Sequence, residues 1–280
     1  MRIFSKFCYY IVCSLALLLT ACGTNIATIG KSDEVDEKQK ILRVVTDAAF
    51  APFEFLEGDG IKGFDIDFIR AVAEEAGYDV KIEHAGWEPL FTEIEKNQAD
   101  FAGAAITITQ ERKRAYDFSI PYFVSTNMIL VSRDSDIKSG RDLLGKKVAV
   151  QNGTTGQEKV ENIIGENNEN IRMYKNINQA FQALLSGKAD AVVADHTVLE
   201  LFVKNNPKQN VKVIADKSME EEHYGLLFPK ESELKPEIDR AIEKIFDNGT
   251  YNDIYIKWFG TEPDIKYLKK LRENNSLMLV

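Results

Sequence analysis

Ile94-Glu95-Lys96-Asn97-Gln98-Ala99-Asp100-Phe101-Ala102 and Leu185-Ser186-Gly187-Lys188-Ala189-Asp190-Ala191-Val192-Val193 follow one plan: the end of an apolar helix, a polar turn, Ala-Asp, then an apolar strand. An internal repeat of one supersecondary unit points to two similar lobes rather than one continuous sheet. Upstream of the first copy, Ile41-Leu42-Arg43-Val44-Val45 is strand-like, and Pro52-Phe53-Glu54-Phe55-Leu56 runs into the tight turn Glu57-Gly58-Asp59-Gly60. Ile66, Ile69, Val72, Ala73 and Ala76 recur at helical spacing, with Asp65 placed to cap that helix and Gly77 to stop it. Tyr78, Val80 and Ile82 alternate as a strand, and Leu90, Phe91 and Ile94 mark a short amphipathic helix. Strand and helix thus alternate, which predicts α/β lobes built from right-handed crossovers.

The second half repeats the alternation. Lys146 to Gln151 reads as a strand, Asn152-Gly153-Thr154-Thr155-Gly156 as a loop opening a helix, Ala180 to Leu185 as a helix, and Ala189 to Ala194 as a buried strand. Helices follow over Leu199 to Val203, Leu234 to Phe246 and Thr250 to Phe259, the last two closed by Asn248-Gly249 and Gly260. Residues 263–280 form a basic, partly apolar tail with no evident role.

The 280 residues include 35 Lys+Arg and 44 Asp+Glu, a net charge of −9, which repels phosphate backbones and disfavours nucleic acid as a partner. Arg2 and Lys6 precede an apolar run from Phe7 to Leu19, the pattern of a signal peptide over residues 1–21. That run is shorter than the ~20 residues a span requires. It ends in Leu19-Thr20-Ala21-Cys22, which resembles the bacterial lipobox, so Cys22 is the expected lipidation site. Cys8 and Cys13 fall within the leader, so no disulfide is expected in the mature chain. Losing Arg2 and Lys6 takes the net charge from −9 to −11. Residues 22–40 are too polar to fold and read as a tether behind the anchor.

Ligands of open α/β sheets bind at strand ends, which directs attention to a few loops. In Ala104-Ala105-Ile106-Thr107-Ile108-Thr109-Gln110-Glu111-Arg112, Thr107 with the neighbouring N–H groups and Arg112 could hold a carboxylate; equally, Thr109 is an N-cap and Arg112 a solvated helix residue. Thr154 and Thr155 sit in a loop that offers N–H and hydroxyl groups but lacks phosphate-loop spacing. Asp195 ends an apolar strand, where it could balance an ammonium or cap the next helix. Asp47 and Phe50 follow the first strand, and Trp87 stands in an expected loop; together they could grip a polar or cationic side chain, although aromatics serve more often as core.

Taken together, Thr46 to Phe55, Gly63-Phe64-Asp65-Ile66-Asp67, Ala105 to Arg112, Asp117-Phe118-Ser119, Gln151 to Gly156, Ala189 to Asp195 and Tyr251 to Gly260 closely resemble the bacterial family 3 solute-binding proteins, the polar and basic amino-acid receptors of ABC importers. The resemblance covers residues 41–262. It implies a type II periplasmic-binding-protein-like fold: lobe 1 over 41–122 plus 226–262, lobe 2 over 123–225, two crossing strands near Tyr122 to Thr126 and Glu222 to Leu226, and a ligand between the lobes. By position, Arg112, Thr107 and the Ala105 backbone would hold the α-carboxylate and part of the ammonium, and Asp195 the ammonium. Thr154 and Thr155 would add donors, Phe50 and Trp87 would sandwich the side chain, and Asp47 would meet its polar end.

Glutamine binders resembling this chain carry Lys where Gln151 stands and His where Ala194 stands. Gln151 and the loop after it look more like the members that take arginine or another basic amino acid. The resemblance therefore implies a monomeric receptor on the outer face of a bacterial membrane. It would take a free basic amino acid, with glutamine or another polar amino acid as the alternative, and pass it to an ABC permease. The rival class is an enzyme of similar fold acting on small acids. His84, His196 and His223 are scattered and no metal-ligand spacing occurs, so no catalytic residue, metal or cofactor is expected.

Overall fold

The computed structural model describes residues 40–277, with side chains to residue 272. The expected leader, Cys22 and the tether to residue 39 lie outside the described residues. The chain enters through β1 (Ile41–Thr46), β2 (Ala49–Phe50), β3 (Glu54–Glu57), β4 (Gly60–Lys62), α1 (Phe64–Ala76), β5 (Asp79–His84), α2 (Trp87–Glu95), β6 (Phe101–Ala102), α3 (Gln110–Ala115) and β7 (Asp117–Phe118). It continues through β8 (Phe123–Ser132), β9 (Val148–Gln151), α4 (Thr155–Ile164), β10 (Ile171–Tyr174), α5 (Ile177–Leu185), β11 (Ala191–Asp195), α6 (His196–Asn205) and β12 (Val211–Ile214). It then returns through β13 (Glu221–Tyr224) and β14 (Leu227–Phe228) to α7 (Lys235–Asn248), α8 (Thr250–Phe259) and α9 (Ile265–Leu277).

Two mixed sheets result. The first has the order β5-β1-β6-β14-β7 and the second β10-β9-β11-β8-β12, with β13 also on β8. Each has parallel neighbours joined by helical crossovers, the α/β architecture that the alternation predicts. The repeated Ala-Asp does the same work in both. The Asp100 carboxylate accepts from Arg43 N–H and the Asp190 carboxylate from Lys147 N–H, each at 2.7 Å, while each Asp N–H donates back to the same partner's carbonyl. Each aspartate thus fixes the register of its strand, β6 or β11, against the neighbouring parallel strand.

Two strands connect the sheets. β8 runs from Phe123 into the second sheet, and β13 pairs antiparallel with its first part, from Tyr224 opposite Phe123 to Glu221 opposite Thr126, before the chain re-enters the first sheet at β14. These are the crossings expected near 122–126 and 222–226. Their first-sheet ends are held by rings: Phe123 stacks on Tyr224 at 5.3 Å, and Tyr122 on Phe68 at 4.4 Å. Phe64 is fully buried among them, edge-on to Phe123 at 5.6 Å and to Tyr251 at 5.9 Å. Phe64→Ala should therefore destabilise the fold by ~3–5 kcal/mol, the cost of a large core cavity, read from urea unfolding.

Two expectations, on Asp65 and on Trp87, need correction, and the tail gains a structure. Asp65 does not cap α1; Gly63 holds that position, where φ is +142° and a Cβ would lie 1.9 Å from Phe53 O. Asp65 lies fully buried two positions further on, because its carboxylate is needed inside, where it accepts from Ala105 N–H at 2.7 Å and Tyr122 Oη at 2.9 Å. Trp87 is in no loop: it is the first residue of α2, after Gly86. The tail is largely helical as α9, held against α7 by buried Leu268 and by ion pairs of Arg272 with Glu243 and Lys269 with Asp247.

Candidate functional site

Asp47, Phe50, Trp87, Ala105, Thr107, Arg112, Gln151, Thr154, Thr155 and Asp195, scattered over 149 positions of sequence, all line one cavity. The first sheet contributes the ends of β1, β5 and β6 with the segments after them, and the second contributes the ends of β9 and β11 with the loop into α4. Ala104 and Glu54 complete the wall. Glu54 and a second acid behind the wall, Glu222, are the residues that sequence reasoning missed.

Backbone strain shapes the approach. Ala48 and Ala105 both take positive φ, 53° and 47°, a conformation that alanine seldom adopts and that concentrates at functional sites. Ala105 is kept there in part by the Asp65 carboxylate on its N–H. Burial pushes Asp65 up to about 7, opposed by that bond and by Tyr122.

Arg112 combines the two readings open in the sequence. Its N–H is capped by Thr109 Oγ1 at 3.1 Å, while its guanidinium turns back to donate to Thr107 O at 2.9 Å and to Gly153 O at 3.1 Å, bridging the two sheets. The guanidinium carbon lies 5.4 Å from the ring centres of both Trp87 and Phe91, a cation–π arrangement. Burial lowers its pKa, countered by Glu158, Glu222 and Asp195, but a guanidinium keeps its charge in proteins. Two of its five donors are taken by the carbonyls.

Three carboxyl groups share the cavity wall with this cation. Asp47 is 3% exposed and accepts from Gln151 Nε2 at 3.1 Å, a second bond across the cavity; burial raises its pKa. Glu54 is fully buried with neither carboxylate oxygen hydrogen-bonded, and burial together with Asp65, Asp47 and Asp195 pushes it well above the usual carboxylate range. Asp195 occupies the N-cap position of α6 but makes no capping bond. It accepts instead from Tyr224 Oη at 2.7 Å and Ser125 Oγ at 2.9 Å. Burial and then Glu222 raise Asp195 to about 7.

The threonine hydroxyls are directed at the protein itself. Thr154 Oγ1 donates to Gln151 O at 2.8 Å, Thr155 Oγ1 to Glu222 at 2.7 Å and Thr107 Oγ1 to Glu222 at 3.0 Å. A hydroxyl has one proton, so these oxygens offer a ligand lone pairs instead. The donors on that side are the N–H groups of the first turn of α4, which Thr154 opens. Among the described residues no group of three His, Cys, Asp or Glu side chains is arranged to hold a metal.

Known proteins place this arrangement in context. A probable histidine-binding protein of Neisseria gonorrhoeae is 35% identical over 257 residues, 90% of this chain and 94% of its own length. The arginine-binding extracellular protein ArtP of Bacillus subtilis is 34% identical over 250 residues, 89% of this chain and 98% of that one. The solved structure of ArtJ, an arginine-, lysine-, histidine-binding protein from Geobacillus stearothermophilus, superposes with a TM-score of 0.81 at 45% identity, covering 82% of this chain and all of the other. Residues 42–261, nearly the whole segment expected from the resemblance, match the family model itself: the chain belongs to the bacterial extracellular solute-binding proteins, family 3.

Proposed function

We propose that the protein is the receptor of an ABC importer, anchored through lipidated Cys22 on the outer face of the membrane, and that it closes two lobes around a free basic amino acid. Lobe 1 is residues 41–122 plus 226–262 and lobe 2 is residues 123–225, and the molecule acts as a monomer. The observation that carries the ligand class is the count of charges in the cavity wall. A zwitterion satisfies Arg112 with its carboxylate and Asp195 with its ammonium, which leaves Asp47 and Glu54 in excess. Asp47 then calls for a second positive charge, as arginine, lysine or protonated histidine would bring, with Phe50 and Trp87 against its apolar stem, and the same charge would favour ionisation of Glu54, whose pKa burial and the neighbouring acids raise in the ligand-free protein. The names of the relatives point to the same class.

Ligand bound to the closed form shifts a two-state hinge equilibrium toward closure. In a thermal-shift screen of the chain from about residue 23 against the common amino acids, the basic ones should raise the melting temperature. At a hundredfold excess over Kd the stabilisation should reach ~2.7 kcal/mol. Asp47→Ala should reduce the shift for arginine and lysine far more than for glutamine. Glutamine as the strongest stabiliser would replace the basic ligand with a neutral one. Chemical turnover of a stabilising amino acid would replace the receptor with an enzyme.

A further inference from the structure

Glu222 lies on β13, is 6% exposed, and is not among the residues lining the cavity. Its Oε2 accepts from Thr107 Oγ1 at 3.0 Å and from Thr155 Oγ1 at 2.7 Å, and its Oε1 accepts from Asn127 Nδ2 at 2.9 Å. The donors come from three places: the segment after β6 in the first sheet, the first turn of α4 on the second, and the crossing strand β8. Glu222 thus gathers both sheets and a crossing strand on one side chain within the protein interior.

An ionised carboxylate only accepts, so it fixes the direction of every hydroxyl bonded to it. With their single protons held by Glu222, Thr107 and Thr155 present only lone pairs to the cavity they line, Thr155 with one of its two already taken by Asn127 Nδ2 at 3.3 Å. Lone pairs cannot serve a ligand carboxylate, which is left to Arg112 and backbone N–H groups, but they suit an ammonium with three N–H donors. Asp195, itself committed to Tyr224 and Ser125, would otherwise meet that ammonium alone.

We propose that Glu222 is a positioning residue for amino-acid capture. By taking the hydroxyl protons of Thr107 and Thr155 it turns both oxygens into acceptors for the ligand α-ammonium, and it completes that pair only when the two lobes meet. The proposal rests on the receptor reading above and adds to it a coupling between closure and recognition of the ammonium. Substitution by glutamine preserves the device: the carbonyl oxygen can accept both hydroxyls, and the new NH2 can face Asn127, whose Oδ1 is buried without a partner and can be turned towards it. Methionine fills similar space and removes it.

The test is calorimetric titration of L-arginine, L-lysine and L-histidine into the wild type, Glu222→Gln, Glu222→Met, Thr107→Val and the Met/Val double variant, with ligand-free melting as a check on folding. Glu222→Gln should bind within about fivefold of the wild type and Glu222→Met at least tenfold more weakly, and Met should cost much less once Thr107 is already Val. Glu222→Met binding within twofold of wild type, Gln as damaging as Met, or additive effects in the double variant would overturn the proposal. Should the methionine variant not fold, the cycle of Glu222→Ala with Thr107→Val takes its place, with non-additivity of threefold or more expected and additivity overturning it. A folded wild type that binds none of the common amino acids would bring down the receptor reading and this proposal together, an outcome distinct from the others.

Discussion

Arg112→Ala is expected to weaken binding of every amino acid by at least a hundredfold, basic and neutral alike, while leaving the ligand-free protein folded. The carboxylate of an amino acid is the part common to all of them, and among the described residues Arg112 is the one cation in the cavity wall. Removing one partner of a buried, hydrogen-bonded charge pair costs ~3–5 kcal/mol, and each ~1.4 kcal/mol is tenfold in Kd. The residue also draws the sheets together, through Thr107 O on one side and Gly153 O on the other. Its loss therefore removes a closing contact as well as a ligand contact. Arg112→Lys should recover only part of the affinity, because an ammonium cannot reach two carbonyls and a carboxylate with the fixed fork of a guanidinium. Calorimetry across arginine, lysine, histidine and glutamine reads the result. Retained binding of any of them within tenfold would show that the carboxylate is held elsewhere.

What could be read from the sequence was what depends on neighbours in the chain. The Ala-Asp repeat was legible because each aspartate acts at the start of its own strand, and a local pattern written twice stands out even without a partner in view. Gly77 as a helix stop and Thr109 as a cap were legible for the same reason. The ten candidate site residues converge on one cavity, but read alone several were no better than caps or core; the family resemblance chose among those readings. Glu54 and Glu222 were invisible at that level. An acid between Phe53 and Phe55 reads as the solvent side of an alternating strand, and only the packing of β3 against the cavity shows that it is buried. Glu222 is defined by donors 67, 95 and 115 positions away, a relation that no local pattern records. Asp65 shows the converse failure. Next to a helix start, an aspartate looks like a cap, and the demand of Ala105 and Tyr122, 40 and 57 positions on, overrides that local role.

Asp195→Asn should lower the affinity for basic amino acids by about a hundredfold or more, as the loss of one partner of a buried charge pair does, and should also remove a pH dependence that the wild type displays. In the ligand-free protein the native pKa of Asp195 is raised to about 7, above the ordinary carboxylate value of ~3.9. The native state therefore holds this proton more tightly than the unfolded state. The stabilisation it gives is full below the ordinary value and is lost as pH rises towards 7. An ammonium placed against the carboxylate reverses the balance, because it favours the charged form and lowers the pKa in the complex. Binding must then expel the proton wherever the free protein carries it. Affinity should fall as pH is lowered from about 7 to 5, by at most tenfold per unit for this one group, and titrations near pH 6 in buffers of different ionisation enthalpy should show net proton release. Glu222 and Glu54, the acids whose fields bear on this region, change the midpoint but not the sign. The amide that replaces the carboxyl cannot titrate, so the variant should release fewer protons and show a flatter profile. If affinity in the wild type is level between about pH 5 and 8 and the variant binds as tightly, Asp195 does not meet the ammonium, and the direction of the ligand in the cavity must be reversed.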